Sequence, residues 1–402
     1  MSGPLFNSPS PLNLLGYHAS LVGDRVRTEA YRQAIFETVK EGDVVLEVGC
    51  GTGILSFFAC QAKARRVYAI EAANIINVAR VLSRANHFED CIEFFNDPSD
   101  RVNLPEKVDL IITETLGNFG LNEGILGSVA DVRKRFLKAQ GAIIPRSVEL
   151  CIAPVELIEA YRKQDVWTDG CYGVDFSAVR PYVMNHPWMV RLEPENLLGE
   201  PASLGRIDLA EVEHTDLKST VSLTAKRDGI MHGLGGWFRA ELTGNIALSN
   251  GVPNPTPNWS HFFFPLERPL AVKAGETCEV VIRSGDNGAS WFWQVEAADA
   301  DAPEGRSRYT HSTFWGVPLD RKRLRLTSPD AVPGPNRRGE AGLFVLQSLN
   351  GLTSLKDLAA TLQRRFPDFW QTESAAMTFV KEMVDLFDTY GCLANPFEKS
   401  CH

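Results

Sequence analysis

Residues 113–123 read TETLGNFGLNE and place Glu114 and Glu123 nine residues apart, directly after the apolar run 108–112. A short loop leaving a buried strand is a costly place for two carboxylates, which lose hydration there unless something compensates. The pair therefore predicts a cation lying between them. A second chemistry-bearing stretch is Glu47-Val-Gly49-Cys50-Gly51-Thr-Gly53. Glycines at a strand-to-helix turn let a ligand approach the backbone, and the helix that follows offers unpaired N–H groups. Eighteen residues beyond Gly53 stands Glu71, at the end of a second apolar strand and placed to accept hydrogen bonds from ribose hydroxyls. A dinucleotide site requires G-x-G-x-x-G, with a third glycine for close helix packing. Here that glycine comes one residue early, and Ile54 takes the later position.

Positioning these groups requires alternating helices and strands. The pattern over residues 24–40 predicts a helix with Val26, Tyr31, Ile35 and Phe36 on one face. Strands are predicted at 44–49, 66–71, 91–95 and 108–114, with helices over 54–62 and 74–86. Near-continuous apolar strands joined by helices mean a parallel sheet covered on both faces. From residue 147 the texture changes to alternating runs separated by Gly, Asn and Asp turns, which predicts an antiparallel, barrel-like β domain. Within it, residues 155–185 read as a helical and loop-like insertion. The Pro/Gly-rich stretch 326–341 reads as a linker. Beyond it, Ser354 and Asp357 form a capping-box-like start to one helix, and a last amphipathic helix stops at Gly391. The predicted division is 1–146, 147–330 and 342–402.

The chain of 402 residues carries a net charge of -9, which argues against nucleic acid as the main partner and suits a cationic substrate. Its eight cysteines include no CxxC pair, so neither a zinc site nor a disulfide framework is expected, and reduced thiols in a cytoplasm are. The first residues do not read as a signal peptide, no stretch reads as a membrane span, and no metal site is expected.

The glycine loop with Glu71 resembles the pattern of S-adenosylmethionine-dependent methyltransferases with a Rossmann-like domain. More specifically, VVLEVGCGTGILSFFACQAKARRVYAIEA (44–72) resembles the nucleotide-binding core of the protein arginine methyltransferase family. In that family two glutamates at this spacing, after the fourth strand, clamp the substrate guanidinium; the resemblance assigns this role to Glu114 and Glu123. It spans about residues 17–325, and YGVDFS (172–177) is similar to the family's dimerisation arm, implying a head-to-tail homodimer through 155–185. It further implies that Arg27 and His18 meet the cofactor carboxylate end and that Asp24 orders the site. It adds Glu47, Gly49, Cys50, Gly51, Gly53, Ile54, Leu55, Ala72, Ser99, Asp100 and Glu114 to the cofactor contacts. The implied cofactor is S-adenosyl-L-methionine, leaving as S-adenosyl-L-homocysteine.

The chemistry agrees with the resemblance. A guanidinium directs planar N–H donors at carboxylates. Carboxylates on its far side hold positive charge there and leave the attacking nitrogen richer in electrons, and one can accept the released proton.

Three departures from the family pattern remodel the site. Residues 8–15 (SPSPLNLL) lack the aromatic cluster that covers the cofactor, leaving Phe6 or Tyr17 to stand in for it. The family's Thr-His-Trp reads Pro257-Asn258-Trp259, with His261 two residues on. Thr115 replaces a tryptophan, and Asn118 stands where an aromatic is usual. Asn118, Asn258 and Trp259 are thus expected in the acceptor pocket. Residues 343–366 with the final helix and YGCL resemble a small winged-helix domain that binds leader peptides. Peptidyl arginine and free arginine both suit the site. Methyl transfer to another amine, and a non-catalytic dimeric scaffold, are the alternatives.

Overall fold

The computed structural model describes residues 11–163, 165–167, 172–253, 256–299, 302, 305–320, 324 and 328–387. Phe6, Gly391 and YGCL lie outside them, as do 164 and 168–171 of the insertion. The chain divides into two compact units, Met1–Pro318 and Leu319–His402.

The first unit begins with helices α1 (Pro11–Gly23) and α2 (Arg25–Thr38). A parallel five-stranded sheet follows, in order β3-β2-β1-β4-β5. Its strands are β1 (Val44–Val48), β2 (Arg66–Ile70), β3 (Ile92–Phe95), β4 (Val108–Thr113) and β5 (Leu137–Ile144). Helices α3 (Ile54–Gln61), α4 (Ile76–Ala85) and α5 (Ile125–Phe136) connect them. Every residue of β1 is buried, as a central strand covered on both faces must be. Because ligands bind outside the carboxyl ends of such strands, where the strand order reverses, the site is expected at the ends of β1 and β4.

The buried face of α2 differs from the expected one. Arg27, Tyr31, Ala34 and Ile35 point inward, whereas Val26 and Phe36 are 43% and 41% exposed. The inward set has the i, i+4, i+7, i+8 spacing of one helical stripe, and a charged residue heads it. Its hydroxyl-bearing member, Tyr31, donates to the Thr113 carbonyl at 3.0 Å and so fixes α2 against the exit of β4.

The β domain consists of two antiparallel sheets. Its strands are β6 (Ser147–Val155), β7 (Trp188–Val190), β8 (Ala202–Asp208), β9 (Leu217–Thr224), β10 (Gly229–Glu241), β11 (Ala247–Ser249), β12 (His261–Val272), β13 (Thr277–Gly285), β14 (Ser290–Ala298) and β15 (Arg306–Ser312). One sheet has the order β7-β12-β10-β6-β8, with β11 on β10; the other is β15-β14-β13-β9. The strands that matter for the site are β6, β10 and β12. A continuous core runs from the parallel sheet into this domain, and Phe119 of the glutamate loop stacks within it on Phe262 at 5.3 Å.

In the second unit, helices Arg337–Gln347, Leu355–Arg365 and Glu373–Phe387 enclose a core that includes Val345, Leu358, Leu362 and Val380. The first of these starts inside the stretch expected as linker, because Asn336 caps it by accepting from Gly339 N at 2.8 Å. Ser354 caps the second as expected, accepting from Asp357 N at 3.1 Å. Among the described residues this unit contains helices and no strand. No helix of the described residues is long and apolar enough to cross a membrane.

Candidate functional site

The turn after β1 is built by left-handed glycines: Gly49, Gly51 and Gly53 have φ of 76°, 53° and 84°. A side chain at Gly49 would place its Cβ 2.9 Å from Thr115, and one at Gly51 would come 3.0 Å from the His18 ring. Gly53 caps α3 without a side-chain hydrogen bond, so the first N–H groups of the helix stay available. Glu71 is fixed at the rim: its Oε2 accepts from Gly51 N at 3.0 Å and its Oε1 from Ala73 N at 2.8 Å. Beneath the turn, Glu47 is buried and accepts from the Ser56 hydroxyl. Burial pushes its carboxyl up to about 8, against the lowering effect of Ser56. Burial lowers the His18 imidazole below its ordinary value, with Glu71 opposing, so His18 is neutral near pH 7.

Across the cavity, Arg27 pairs with Glu114, both nearly buried, at 8% and 12% side-chain exposure. Its second terminal nitrogen donates to the Leu21 carbonyl at 2.8 Å. Its Nε is buried with no hydrogen-bond partner among the described residues. A buried guanidinium N–H without an acceptor is costly, and one carboxylate at that point would satisfy it. This orphan donor, the glycine cradle and Glu71 together fit a ligand with an anionic end and a ribose.

Burial raises the Glu114 carboxyl above its ordinary value while Arg27 pulls it down. Glu123 is pushed up to about 7, chiefly by loss of solvation and then by Glu114, with Arg27 opposing. Its side chain remains open to the cavity's solvent. Glu114 raises Glu123 while Arg27 is already paired with Glu114, which leaves room for one more positive charge at this site.

The loop carrying them is held by the β domain. Asn250 donates to the Asn118 carbonyl at 2.9 Å, and Ser260 N donates to Asn118 Oδ1 at 2.6 Å. Within the loop, Phe119 N donates to Asn122 Oδ1 at 2.9 Å. At its far end Asn287 donates to the Gly124 carbonyl at 2.9 Å and accepts from Gly127 N at 2.8 Å.

One cavity brings together His18, Arg27, Glu47, Gly49, Cys50, Gly51, Ile54, Leu55, Glu71, Glu114, Glu123 and Trp259. Gly53, Ala72, Ser99, Asp100, Asn118 and Asn258 are not on its wall. Asn118 turns to the β domain instead, and Asn258 Nδ2 donates to the Ser20 carbonyl at 2.6 Å and to Asp24 Oδ2 at 3.3 Å. Tyr17, Leu21, Val22, Thr52, Ala73, Ile75 and Thr115 line the cavity as well. Leu21 and Val22 follow His18 by one helical turn, a spacing that could have suggested them.

Comparison with known proteins comes to the same place. Residues 146–291 match the arginine methyltransferase oligomerization subdomain, and residues 23–145 match the model of ribosomal protein L11 methyltransferase. The chain is 32% identical over 270 residues to protein arginine N-methyltransferase 6 of Xenopus laevis, covering 64% of this chain and 79% of that protein. It is 36% identical over 264 residues to a probable protein arginine N-methyltransferase 6.1 of Oryza sativa subsp. indica, covering 63% and 67%. Among solved structures it resembles the Trypanosoma brucei PRMT1 enzyme-prozyme complex with AdoHcy, with a TM-score of 0.68, 26% identity and coverage of 74% and 97%. It also resembles Arabidopsis thaliana protein arginine methyltransferase 10, with a TM-score of 0.63, 26% identity and coverage of 75% and 99%.

Proposed function

Because the chain belongs to the protein arginine N-methyltransferase family, we propose that Glu114 and Glu123 hold a peptidyl arginine at the mouth of the cofactor cavity. The protein is an S-adenosylmethionine-dependent enzyme that methylates a guanidine nitrogen of arginine. When bound, S-adenosylmethionine supplies the methyl group on its sulfonium.

The residues of this chain do the rest. The Gly49–Gly53 turn and the first N–H groups of α3 accept the close approach of the nucleoside end, and Glu71 takes the ribose hydroxyls. Arg27 offers its free Nε to the amino-acid carboxylate. Glu114, which Arg27 pairs, and Glu123 accept N–H donors from the guanidinium and draw its positive charge to the far side. The near nitrogen, whose lone pair is otherwise delocalised, gains nucleophilic character. Glu123, whose carboxyl lies near neutrality, takes the proton released on transfer. Alignment of nitrogen with the methyl carbon supplies much of the remaining acceleration.

One observation carries this reading: the two carboxylates and the glycine cradle open onto one cavity. In this scheme residues 1–146 hold the cofactor, 147–330 brace the acceptor loop, and 342–402 form a separate module. We also assign a homodimer to the insertion. Tyr172 is fully exposed and Val174 is 53% exposed, while Val81 on α4 and Phe36 on α2 form apolar positions elsewhere on the surface. Exposed apolar positions on the insertion and on other elements suit a head-to-tail contact. Light scattering at micromolar concentration tests it, and a monomer would reject it.

The activity assay pairs labelled S-adenosylmethionine with arginine peptides and, separately, free arginine. The expected result is label on peptidyl guanidine nitrogen. Glu114→Gln is expected to lose about a hundredfold or more in rate while still binding S-adenosylhomocysteine. Full turnover in that variant would reject the clamp.

A further inference from the structure

The loop between Glu114 and Glu123 gives the cavity no aromatic ring. Thr115 is its side chain at the wall, Asn118 is committed to Ser260, and Phe119 is buried among Phe262, Phe264 and Trp291. Two carboxylates bind a guanidinium at its edges, yet they leave its flat faces uncovered. Those faces are weakly hydrated and stack on aromatic rings.

Tyr17 is placed to cover one. It lies on α1, lines the same cavity as Glu114, Glu123 and Trp259, and is half exposed. Its ring meets the edge of His18 at 5.3 Å, nearly perpendicular, so the two neighbours face different directions. Their electrostatic surroundings separate them further. The Tyr17 hydroxyl is raised by Glu123 and then Glu114, after burial, whereas the carboxylate that acts on His18 is Glu71. His18 thus belongs to the ribose side and Tyr17 to the acceptor side. The turn that carries Tyr17 is fixed from two directions. Asn258 of the β domain donates to the Ser20 carbonyl, and Arg27 of α2 donates to the Leu21 carbonyl. The Ser20 hydroxyl closes the turn on the Tyr17 carbonyl at 2.7 Å.

We propose that Tyr17 is an aromatic wall of the acceptor pocket, which Trp259 also lines, packing its ring on the guanidinium that Glu114 and Glu123 clamp, and so selects a planar delocalised cation. The ring replaces the aromatic side chains missing from the loop, and it arrives from a different element. The inference rests on the arginine-methylation reading of the same cavity.

Two variants separate ring from hydroxyl: Tyr17→Leu keeps apolar bulk and helix propensity without a π face, and Tyr17→Phe keeps the face. Steady-state kinetics with an arginine peptide are expected to give Tyr17→Leu a KM for the peptide about fivefold higher, from a cation–π contact of about 1 kcal/mol. The KM for S-adenosylmethionine should stay within about twofold, and Tyr17→Phe should match the wild type in both, the cation–π face being retained. Binding of S-adenosylhomocysteine by calorimetry checks that each variant is folded. Unchanged peptide KM in Tyr17→Leu, an equal rise in both KM values, or an equal loss in Tyr17→Phe would each overturn the assignment. A wild type that methylates no guanidine defeats the underlying reading; an active wild type with an unaltered Tyr17→Leu variant defeats this inference alone.

Discussion

The position of Glu123 fixes a pH dependence. In the free enzyme its carboxyl titrates at about 7, because the protein removes solvation from it and Glu114 stands nearby. Only the charged form accepts both guanidinium donors as an ion pair, so kcat/KM for the peptide should rise with pH and level off above neutrality. With a midpoint at about 7, roughly a tenth of the enzyme is competent at about pH 6 and roughly nine tenths at about pH 8. The value at about pH 6 should therefore lie about tenfold below the plateau. Once the guanidinium is bound its charge favours the carboxylate, which places the corresponding limb in kcat at lower pH. The substrate guanidinium does not titrate in this range, and His18, lowered by burial, titrates below the ordinary histidine value. The assay is initial-rate methyl transfer at saturating S-adenosylmethionine, using an acetylated peptide whose only charged group is the guanidine. Glu114→Gln removes the charge that helps to raise Glu123, so the limb of its residual activity should move to lower pH. A flat kcat/KM profile between about pH 6 and 8 would refute the reasoning, as would a limb that survives unchanged in Glu123→Gln.

Two further outcomes follow from the cofactor side. Glu47 titrates at about 8 in the fold against an ordinary 4.5, so the folded state holds its proton longer than the unfolded chain does. Stability is thus highest below about 4.5 as far as this group is concerned, and falls as pH rises toward about 8, by up to about 5 kcal/mol. Urea unfolding of the cofactor-free protein at several pH values should show Glu47→Gln with a flatter profile, and an identical profile would count against the buried acid. Gly51→Ala forces a Cβ into a backbone with φ of 53° and within 3.0 Å of the His18 ring. Its affinity for S-adenosylhomocysteine should fall by about tenfold, from a left-handed-backbone cost of about 1–2 kcal/mol, and calorimetry giving the wild-type value would reject the cradle.

The parallel sheet was legible because its strands are buried on both faces and therefore read as uninterrupted apolar runs, bounded by glycine turns. Glu114 and Glu123 were legible because carboxylates after such a strand break the pattern. The inward face of α2 is not legible from apolar spacing alone: Val26 and Phe36 are exposed and Arg27 is buried, because burial there follows the site, which needs a cation inside. Nothing local announces that Arg27 will meet a carboxylate 87 positions away. Likewise the partners of Asn118, Asn250 and Ser260, lie 132 and 142 positions on. A short amide in a loop reads as an exposed turn residue, and only the approach of the β domain turns it into a clamp.

Asn258 illustrates how a loss in sequence terms becomes a gain in three dimensions. Against the family pattern it removes an ionisable imidazole. In the fold its amide donates to the Ser20 carbonyl and to Asp24, and the same Asp24 side chain caps α2 by accepting from Arg27 N at 3.2 Å. One neutral group therefore joins the β domain to both helices that border the cavity, α1 with Tyr17 and α2 with Arg27. An amide does not titrate, so this link holds α1 equally well across the pH range of the assay. The limb expected near neutrality then cannot originate in the joint between domains, and Glu123 is the acceptor-side carboxyl poised to produce it. An Asn258→His variant makes the point experimentally. Restoring a titratable ring at the joint should add a second, separate pH dependence in the KM for S-adenosylmethionine and leave the Glu123 limb where it was. Movement of that limb with the Asn258 substitution would transfer its origin from the glutamate to the joint.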